Sequence, residues 1–250
     1  MFKHITIGLF LVINVEAFAQ ILVGPVVGGQ IDWIKFGDSE NKDLYSVEPV
    51  YGFHVGGSIA FRVQKRFFLQ ASVLYSQKGK VIDGKLDQSL RNDATFKYID
   101  VPLLYTAEFK AKIGRDKVYK IYLGAGPNIS YWLGGKGVLN HSDLNENLIN
   151  PPDYNLPYTI TFNKDPLTIR QGEMNVEDPN RIQLGLQAST GLIFEPWGEQ
   201  KIMLTARYIF GHSYLSKTSN GDFGLPNELY YEDALKVRTQ ELAMSLYYFI

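Results

Sequence analysis

The chain contains no cysteine and no long apolar run among its 250 residues. Without cysteine it has no disulfide framework, no thiolate metal site and no residue for a lipid anchor at a cleavage point. Its longest apolar stretch, Ile5 to Val15, is about 11 residues, whereas a helix needs roughly 20 to cross a bilayer. If this chain lies in a membrane, strands must cross it.

An excess of charge of one sign is also missing, because 25 basic residues face 26 acidic ones for a net charge of −1. A nucleic-acid-binding protein would show a basic excess, so we expect no nucleic acid partner. The apolar content of 45% is that of an ordinary soluble domain. A barrel has a similar average, because half of each strand faces water and the spanning signal lies in the alternation.

The first 19 residues have the organisation of a secretory signal peptide. Lys3 and His4 form a basic start, the apolar stretch follows, and Ala17-Phe18-Ala19 is a small-residue cleavage site. The sequence therefore predicts a signal peptide over residues 1–19 and a mature domain over residues 20–250. We expect export to the cell outer membrane of a Gram-negative bacterium.

Eight segments alternate apolar and polar residues with the period of two that is typical of a half-buried strand. The clearest is Tyr51 to Val63, whose odd-numbered positions are mostly apolar and whose even-numbered positions are small or polar. The eight are Val23 to Trp33, Tyr51 to Val63, Phe67 to Lys78, Phe96 to Phe109, Tyr119 to Leu133, Ile182 to Phe194, Ile202 to Phe210 and Val237 to Phe249. This pattern predicts an all-β fold, an eight-stranded antiparallel transmembrane β-barrel with its apolar faces toward lipid.

The connections alternate between short and long, as they do in barrels with short periplasmic turns and long extracellular loops. The predicted long connections are Ile34 to Val50, Gly79 to Thr95, Gly134 to Arg181 and Gly211 to Lys236. The third contains one candidate hairpin, with strands Tyr158 to Phe162 and Leu167 to Arg170. It is also rich in acids, which we interpret as solvated charge, with recruitment of cations or a basic partner as the alternative.

The polar faces of the eight strands predict a charged network inside the barrel. An eight-stranded barrel is about wide enough for side chains to fill, so these charges should pair with one another rather than line a pore. We expect Arg62 and Arg207 to pair with Glu108, Glu195 and Glu241, since unpaired buried charge is costly. The predicted network comprises Arg62, Asp100, Glu108, Lys120, Glu195, Arg207 and Glu241. A proton or ion path is the alternative.

Three segments carry a resemblance to a known family: Tyr98-Ile99-Asp100-Val101-Pro102-Leu103-Leu104, then Leu123-Gly124-Ala125-Gly126-Pro127, and the final Leu246-Tyr247-Tyr248-Phe249. With these segments the mature chain resembles the Bacteroidetes outer-membrane β-barrel families that include PorT-like proteins. The resemblance implies an outer-membrane barrel with no catalytic residues to carry over, and a possible place in type IX secretion and gliding.

Candidate catalytic and metal sites are weak. His141-Ser142-Asp143 is a run of adjacent residues and cannot converge as a triad, which joins separate elements. His212 and Ser213, with Asp222 and Glu232 in the next connection, are interpreted as a polar loop stem. Three oxygen donors, Asp143, Asn145 and Glu146, lack the glycine turn and closing acid of a calcium loop, and no nucleotide-binding motif occurs. We therefore expect no cofactor.

The leading hypothesis is a non-enzymatic outer-membrane barrel that contacts lipid and engages other envelope or secretion-system proteins. One alternative is an outer-membrane enzyme acting on lipid or peptide at the extracellular rim. Another is a soluble lipocalin-like carrier, which would place its apolar side chains inside the barrel and its polar side chains outside.

Overall fold

The computed structural model describes residues 21–87, 89–113, 117–141, 155–196, 200–217, 220–224 and 232–250. The predicted signal peptide, residues 1–19, lies outside these ranges. No helix in the described part of the chain is long and apolar enough to cross a bilayer.

Eight antiparallel strands form a closed ring. They are β1 (Ile21–Phe36), β3 (Val50–Gln64), β4 (Phe67–Gly84), β5 (Arg91–Ile113), β6 (Lys117–Asn140), β9 (Ile182–Phe194), β10 (Lys201–Gly211) and β13 (Val237–Phe249). Each pairs with the next, and β1 closes the ring by pairing with β13 from Val26↔Tyr247 to Phe36↔Val237. All eight predicted strands are therefore confirmed, two of them with the predicted bounds and six longer.

The remaining elements lie in the connections at one end of the ring, which we call the long-connection end. They are helix α1 (Ser39–Leu44), a 3-10 turn (Pro166–Thr168) and strands β2 (Tyr45–Glu48), β7 (Asn155–Phe162), β8 (Glu173–Val176), β11 (Asn220–Phe223) and β12 (Glu232–Ala234). The opposite end, which holds the turn 65–66, the end of β5, the start of β6, the end of β9 and the start of β10, is called the short-turn end.

The long connections are more structured than the sequence predicts. β4 continues to Gly84 and β5 already begins at Arg91. The predicted connection from Gly79 to Thr95 is therefore reduced to residues 85–90. The predicted hairpin is half wrong, because its first strand falls in β7 but Leu167 lies in the 3-10 turn. β7 pairs instead with β6, and in parallel with β8. The extra strands form because they cover an apolar cluster that the local alternation does not reveal.

The ring wall carries apolar side chains outward and most polar side chains inward. Val27, Val55 and Leu186 are exposed on the outer face, while Gln30 and His54 are buried on the inner face. The strand period of two produces this division, since neighbouring side chains point to opposite faces. This arrangement is the reverse of a lipocalin-like carrier, so that alternative is wrong.

Pro102 and Gly28 are accommodated in the ring wall by two local features of the structure. The β4–β5 ladder has a gap between the pairs Ala71↔Leu103 and Leu74↔Asp100, and Pro102, which has no N–H to donate, lies in it. Gly28 faces the interior, where a Cβ atom would come within 2.4 Å of Nε2 of His54. Glycine therefore leaves the space that the buried imidazole occupies.

Apolar clusters fill the ring interior near both ends, so the inner face is not uniformly polar as the sequence predicts. The short-turn cluster comprises Leu22, Val26, Ala60, Phe68, Leu74, Tyr122, Ile193, Met203, Tyr247 and Phe249. The long-connection cluster comprises Ile34, Phe36, Ile82, Leu90, Ala94, Phe96, Tyr98, Trp132, Leu139, Leu156, Tyr158, Ile160, Met174, Val176, Leu215, Ala234, Leu235 and Val237. Buried polar side chains also point from the strands into the ring interior.

Candidate functional site: the polar layer inside the ring

The polar layer is a group of buried side chains contributed by seven strands of the ring. Its members are Gln30 and Asp32 on β1, His54 on β3, Lys78 on β4, Asp100 on β5, Ser130 on β6, and Arg207, Glu241 and Ser245 on β10 and β13. They meet because the inward positions of antiparallel neighbours lie side by side. On β1 and β13, for example, Asp32 is directly opposite Glu241.

Ion pairs link the charged members of this layer. Lys78 Nζ lies 3.0 Å from Oδ2 of Asp100 and 3.1 Å from Oε2 of Glu241. Arg207 Nη2 lies 3.0 Å from Oε1 of Glu241. These four side chains are at most 5% exposed. Glu241 therefore bridges two buried cations, and Ser130 donates a further hydrogen bond to Asp100.

Further side-chain hydrogen bonds extend the layer across the ring. The His54 imidazole joins Oε1 of Gln30 at 2.9 Å through Nδ1 and Oγ of Ser245 at 2.7 Å through Nε2. Gln30 in turn donates from Nε2 to Oδ1 of Asp32 at 3.1 Å. A chain of contacts thus runs from β13 through β3 to β1. Such mutually satisfied networks rigidify a core.

The structure divides the predicted network between two places. Asp100, Arg207 and Glu241 belong to the polar layer, and only the Arg207–Glu241 pair joins residues in the predicted combination. Glu108, Lys120 and Glu195 form a separate group at the short-turn end, where Lys201 Nζ lies 3.0 Å from Oε1 of Glu108 and Lys120 pairs with Glu195.

Arg62 joins neither group. Its side chain is exposed near the end of β3, with the guanidinium carbon 5.2 Å from the centre of the Phe68 ring. The sequence reasoning placed Arg62 inside because it shares the inward parity of its strand, but position along the strand decides whether an inward residue is buried.

Sequence reasoning missed two lysines that complete these groups, Lys78 and Lys201. Lys78 ends the predicted third strand and has the same parity as the inward Gln70, so continuing the alternation would have identified it. Lys201 precedes the predicted seventh strand by one residue. Both were missed because strand ends are the least certain part of a pattern.

The layer is tightly filled. The cavity bordered by Lys78, Asn128, Gln183 and Glu241 has a volume of about 10 Å³. A second cavity of about 10 Å³ lies among residues of the short-turn cluster, Gln70 and Glu108. One water needs about 10 to 15 Å³, so neither space accommodates more than a single water. The arrangement suits a structural network better than an ion path.

A further buried ion pair, separate from the polar layer, holds a long connection against the inner wall. Lys80 on β4 pairs with Asp233 on β12, and both side chains are fully buried. Lys80 Nζ also lies 6.0 Å from the centre of the Phe96 ring. The pair therefore holds the segment bearing β12 against the long-connection cluster.

Those candidate catalytic residues that the structure describes do not assemble into a site. His141 Nε2 lies 3.0 Å from Oδ2 of Asp87, while Ser142, Asp143, Asn145 and Glu146 lie outside the described residues. His212 is exposed, and Oγ of Ser213 accepts a hydrogen bond from the backbone of Leu184 at 3.0 Å. Asp222 and Glu232 are opposite each other in the β11–β12 pair.

Metal ligands are equally sparse in the part of the chain that the structure describes. There, no group of three or more histidine or acidic side chains is placed to hold an ion.

The long-connection end also presents an open groove on its outer surface. The groove has a volume of about 610 Å³ and runs along the outward side of β5, β6 and β7. Arg91, Asp93, Lys136, Asn140 and Thr159 contribute to its lining. It lies on the opposite face of these strands from the long-connection cluster, so its floor is supported by a packed core.

An all-β chain whose antiparallel strands form a closed ring, with apolar side chains outside and paired charges inside, has the character of a membrane β-barrel protein. Residues 4–214 match the family model of the outer membrane protein beta-barrel domain. The chain therefore belongs to this family of outer membrane proteins. No curated protein sequence matches the chain.

Several solved structures resemble the chain. OprG from Pseudomonas aeruginosa is 11% identical, with 92% of each chain covered and a TM-score of 0.47. Ail of Yersinia pestis, in complex with the heparin analogue sucrose octasulfate, is 13% identical, with 92% of this chain and 99% of that chain covered and a TM-score of 0.36. Neisserial surface protein A is 14% identical, with 90% and 97% covered and a TM-score of 0.35. At these scores the family assignment depends on the sequence match alone.

Proposed function

We propose that this chain is a non-enzymatic outer-membrane β-barrel protein that spans the membrane with its ring and serves as a structural or interaction component of the envelope. The observation that carries the proposal is the exposed apolar band around a ring whose interior contains buried ion pairs as well as apolar clusters. In water such a large exposed apolar surface would promote aggregation. In a membrane the same surface contacts lipid hydrocarbon.

The height of the band agrees with a membrane. Two outward aromatic side chains, Phe109 and Tyr131, lie near opposite ends of it, and Phe109 is paired with Ile121 on β6. From Ile121 to Tyr131, ten residues at about 3.3 Å each span about 33 Å along the strand. A strand tilt of about 40° reduces this to roughly 25 Å, the height of the apolar band in such barrels.

In this placement the short-turn end faces the periplasm and the long-connection end faces outward. Residues 1–19 would be the signal peptide that directs export, and residues 20–250 the mature domain. The long connections support an interaction role, because strands β7, β8, β11 and β12 extend the sheet beyond β6 into a packed platform, and the outer groove lies beside it along β5, β6 and β7. We propose that platform as the surface that meets other envelope or secretion-system proteins.

Single cysteine variants test the membrane placement, since the natural chain has no cysteine. Leu186 is 65% exposed on the outer wall, and Leu167 is 94% exposed in a long connection. Leu167→Cys should react with a membrane-impermeant maleimide on intact cells, whereas Leu186→Cys should react only after the membrane is dissolved. Lys65→Cys, in a short turn, should react once the outer membrane is permeabilised. Labelling of Leu186→Cys in intact membranes would contradict the proposal.

A PorT-like role in type IX secretion is a finer proposal, supported by the resemblance of the Tyr98 to Leu104 segment. Disruption of the gene should then abolish export of type IX cargo, and complementation should restore it. Unaltered export would remove the secretion role and leave the membrane placement intact.

A further inference from the structure

A cluster of outward aromatic rings marks the lower edge of the apolar band at the short-turn end. Phe67 stacks on Tyr105 with ring centres 5.6 Å apart and an interplanar angle of 12°. Phe109 is also exposed on the outer face of β5. Aromatic rings at such positions lie at the level of lipid headgroups.

Arg66, in the turn between β3 and β4, is held against these rings. Its guanidinium carbon lies 5.6 Å from the centre of Phe67 and 5.7 Å from the centre of Phe109. Its backbone oxygen accepts a hydrogen bond from the Glu108 amide at 2.8 Å, which fixes the turn to β5. The arginine is thus an exposed cation, positioned by two rings and a backbone contact at the edge of the band.

The acidic side chains near this turn form ion pairs with other basic residues. Glu108 pairs with Lys201, and Glu195 pairs with Lys120. Among the described residues no carboxylate lies within ion-pair distance of Arg66 or of its exposed neighbour Lys65. A guanidinium stacked on ring faces can still donate hydrogen bonds from the N–H groups in its plane. Two of these N–H groups are spaced to bind two oxygens of one phosphate.

The other end of the band offers a comparison. Arg181 lies over Tyr131 and Phe162 at 4.7 and 4.8 Å, but its Nε donates to the backbone oxygen of Trp132 at 3.1 Å. One N–H donor of the Arg181 guanidinium is therefore already used within the protein, and the Arg181 side chain is half-buried. Arg66 has no such contact in the described part of the chain.

We infer that Arg66, assisted by Lys65, binds the phosphate of an anionic phospholipid in the leaflet that faces the short turns. The inference rests on the proposed membrane placement and adds a specific lipid site to it. Phe67 and Phe109 position the guanidinium, and Lys65 adds a second positive charge beside it.

The test is the association of spin-labelled lipids with the full mature chain in phosphatidylcholine vesicles. Phosphatidylglycerol should associate about two- to fivefold more strongly than phosphatidylcholine, because one basic residue near an anionic membrane surface contributes roughly a fivefold change. The preference should fall close to one in the Lys65→Gln/Arg66→Gln variant, and Arg66→Lys should lose part of it. Added salt should weaken it.

The matched control is Lys42→Gln/Lys217→Gln, which removes two exposed positive charges from the long connections. This variant should keep the preference of the natural chain. Equal association of both lipids with the natural chain, or a preference that survives in Lys65→Gln/Arg66→Gln, would overturn the lipid site. If the protein fails to float with the vesicles at all, the membrane placement itself is wrong and the lipid site is lost with it.

Discussion

The polar layer and the long-connection cluster are both buried against the same strands, yet their contents are opposite. On β5 the successive inward residues are Asp100, Tyr98, Phe96 and Ala94, all of them fully buried. Lys78 marks the change, since its Nζ pairs with Asp100 and lies 5.0 Å from the centre of the Tyr98 ring. A single strand therefore passes from an ion-paired interior to an aromatic one within two residues.

This difference shows what each region contributes. In the polar layer Lys78, Arg207, Asp100 and Glu241 are held in ion pairs, and Asp32 accepts hydrogen bonds from the Gln30 amide. Because an unpaired buried charge is costly, these contacts favour one arrangement of the strands. In the long-connection cluster apolar area removed from water stabilises strands that continue beyond the apolar band. One region supplies specificity of pairing, and the other supplies stability for the platform.

The largest expected effect comes from breaking the polar layer at its shared carboxylate. Glu241→Gln leaves Arg207 without its ion-pair partner and removes one of the two acids around Lys78. We expect a loss of about 3 to 5 kcal/mol in the free energy of unfolding, as for other disrupted buried pairs. Urea unfolding in lipid vesicles measures it.

The control is Glu48→Gln, whose exposed partner Arg91 lies 3.0 Å away. An exposed pair contributes about 0 to 1 kcal/mol. Equal losses in Glu241→Gln and Glu48→Gln would show that burial does not distinguish the two pairs.

The long-connection cluster is tested by Leu139→Ala, because Leu139 is fully buried within it. Truncation of a buried leucine costs about 2 to 5 kcal/mol, and a site among extra-membrane strands can partly relax, so we expect about 3 kcal/mol. Hydrogen exchange should show the loss in β6 and β7 first. The exposed Leu167→Ala should change stability by about 0.5 kcal/mol or less. A uniform loss of protection around the whole ring would mean that the cluster is not a separate unit.

A neutral contact in the polar layer should matter less than its ion pairs. Ser245→Ala removes the hydroxyl that lies 2.7 Å from Nε2 of His54 and leaves that nitrogen unsatisfied. The expected loss is about 1 to 2 kcal/mol by the same unfolding measurement. Ser46→Ala, at an exposed serine, should have almost no effect. If Ser245→Ala cost as much as Glu241→Gln, hydrogen bonding rather than charge pairing would dominate the layer.

The smallest effect is a pH dependence in the long connections. Hydrogen bonds from Lys164, at 2.7 Å to each carboxylate oxygen, and from the Arg170 backbone lower the pKa of Glu173 below its ordinary value. The lowered pKa means that the folded state favours the charged carboxylate of Glu173. These hydrogen bonds therefore stabilise the fold fully above the unfolded pKa, and that stabilisation is lost as the pH falls through the folded pKa.

An NMR titration of the Glu173 carboxyl checks this direction. In Lys164→Met the pKa should return toward its ordinary value, while Lys136→Met should leave it unchanged. A Glu173 pKa at or above the ordinary value in the natural chain would contradict the contacts described for it.

The alternation of side chains determined by itself that eight strands exist and which face of each is apolar. This follows because the period of two is local and depends only on neighbouring residues. The inward placement of Asp100, Arg207 and Glu241 was predictable for the same reason, whereas the strand extensions to Gly84 and Asn140 were not, since they depend on a cluster assembled from distant segments.

Only the tertiary structure decided which charges meet. Arg62 and Arg207 share residue type and inward parity, yet one is exposed at the end of its strand and the other is buried beside Glu241. Register around the closed ring, including the β1–β13 pairing that sets Asp32 opposite Glu241, selects these partners. Such pairing joins residues that are far apart in the chain, so no local pattern contains it.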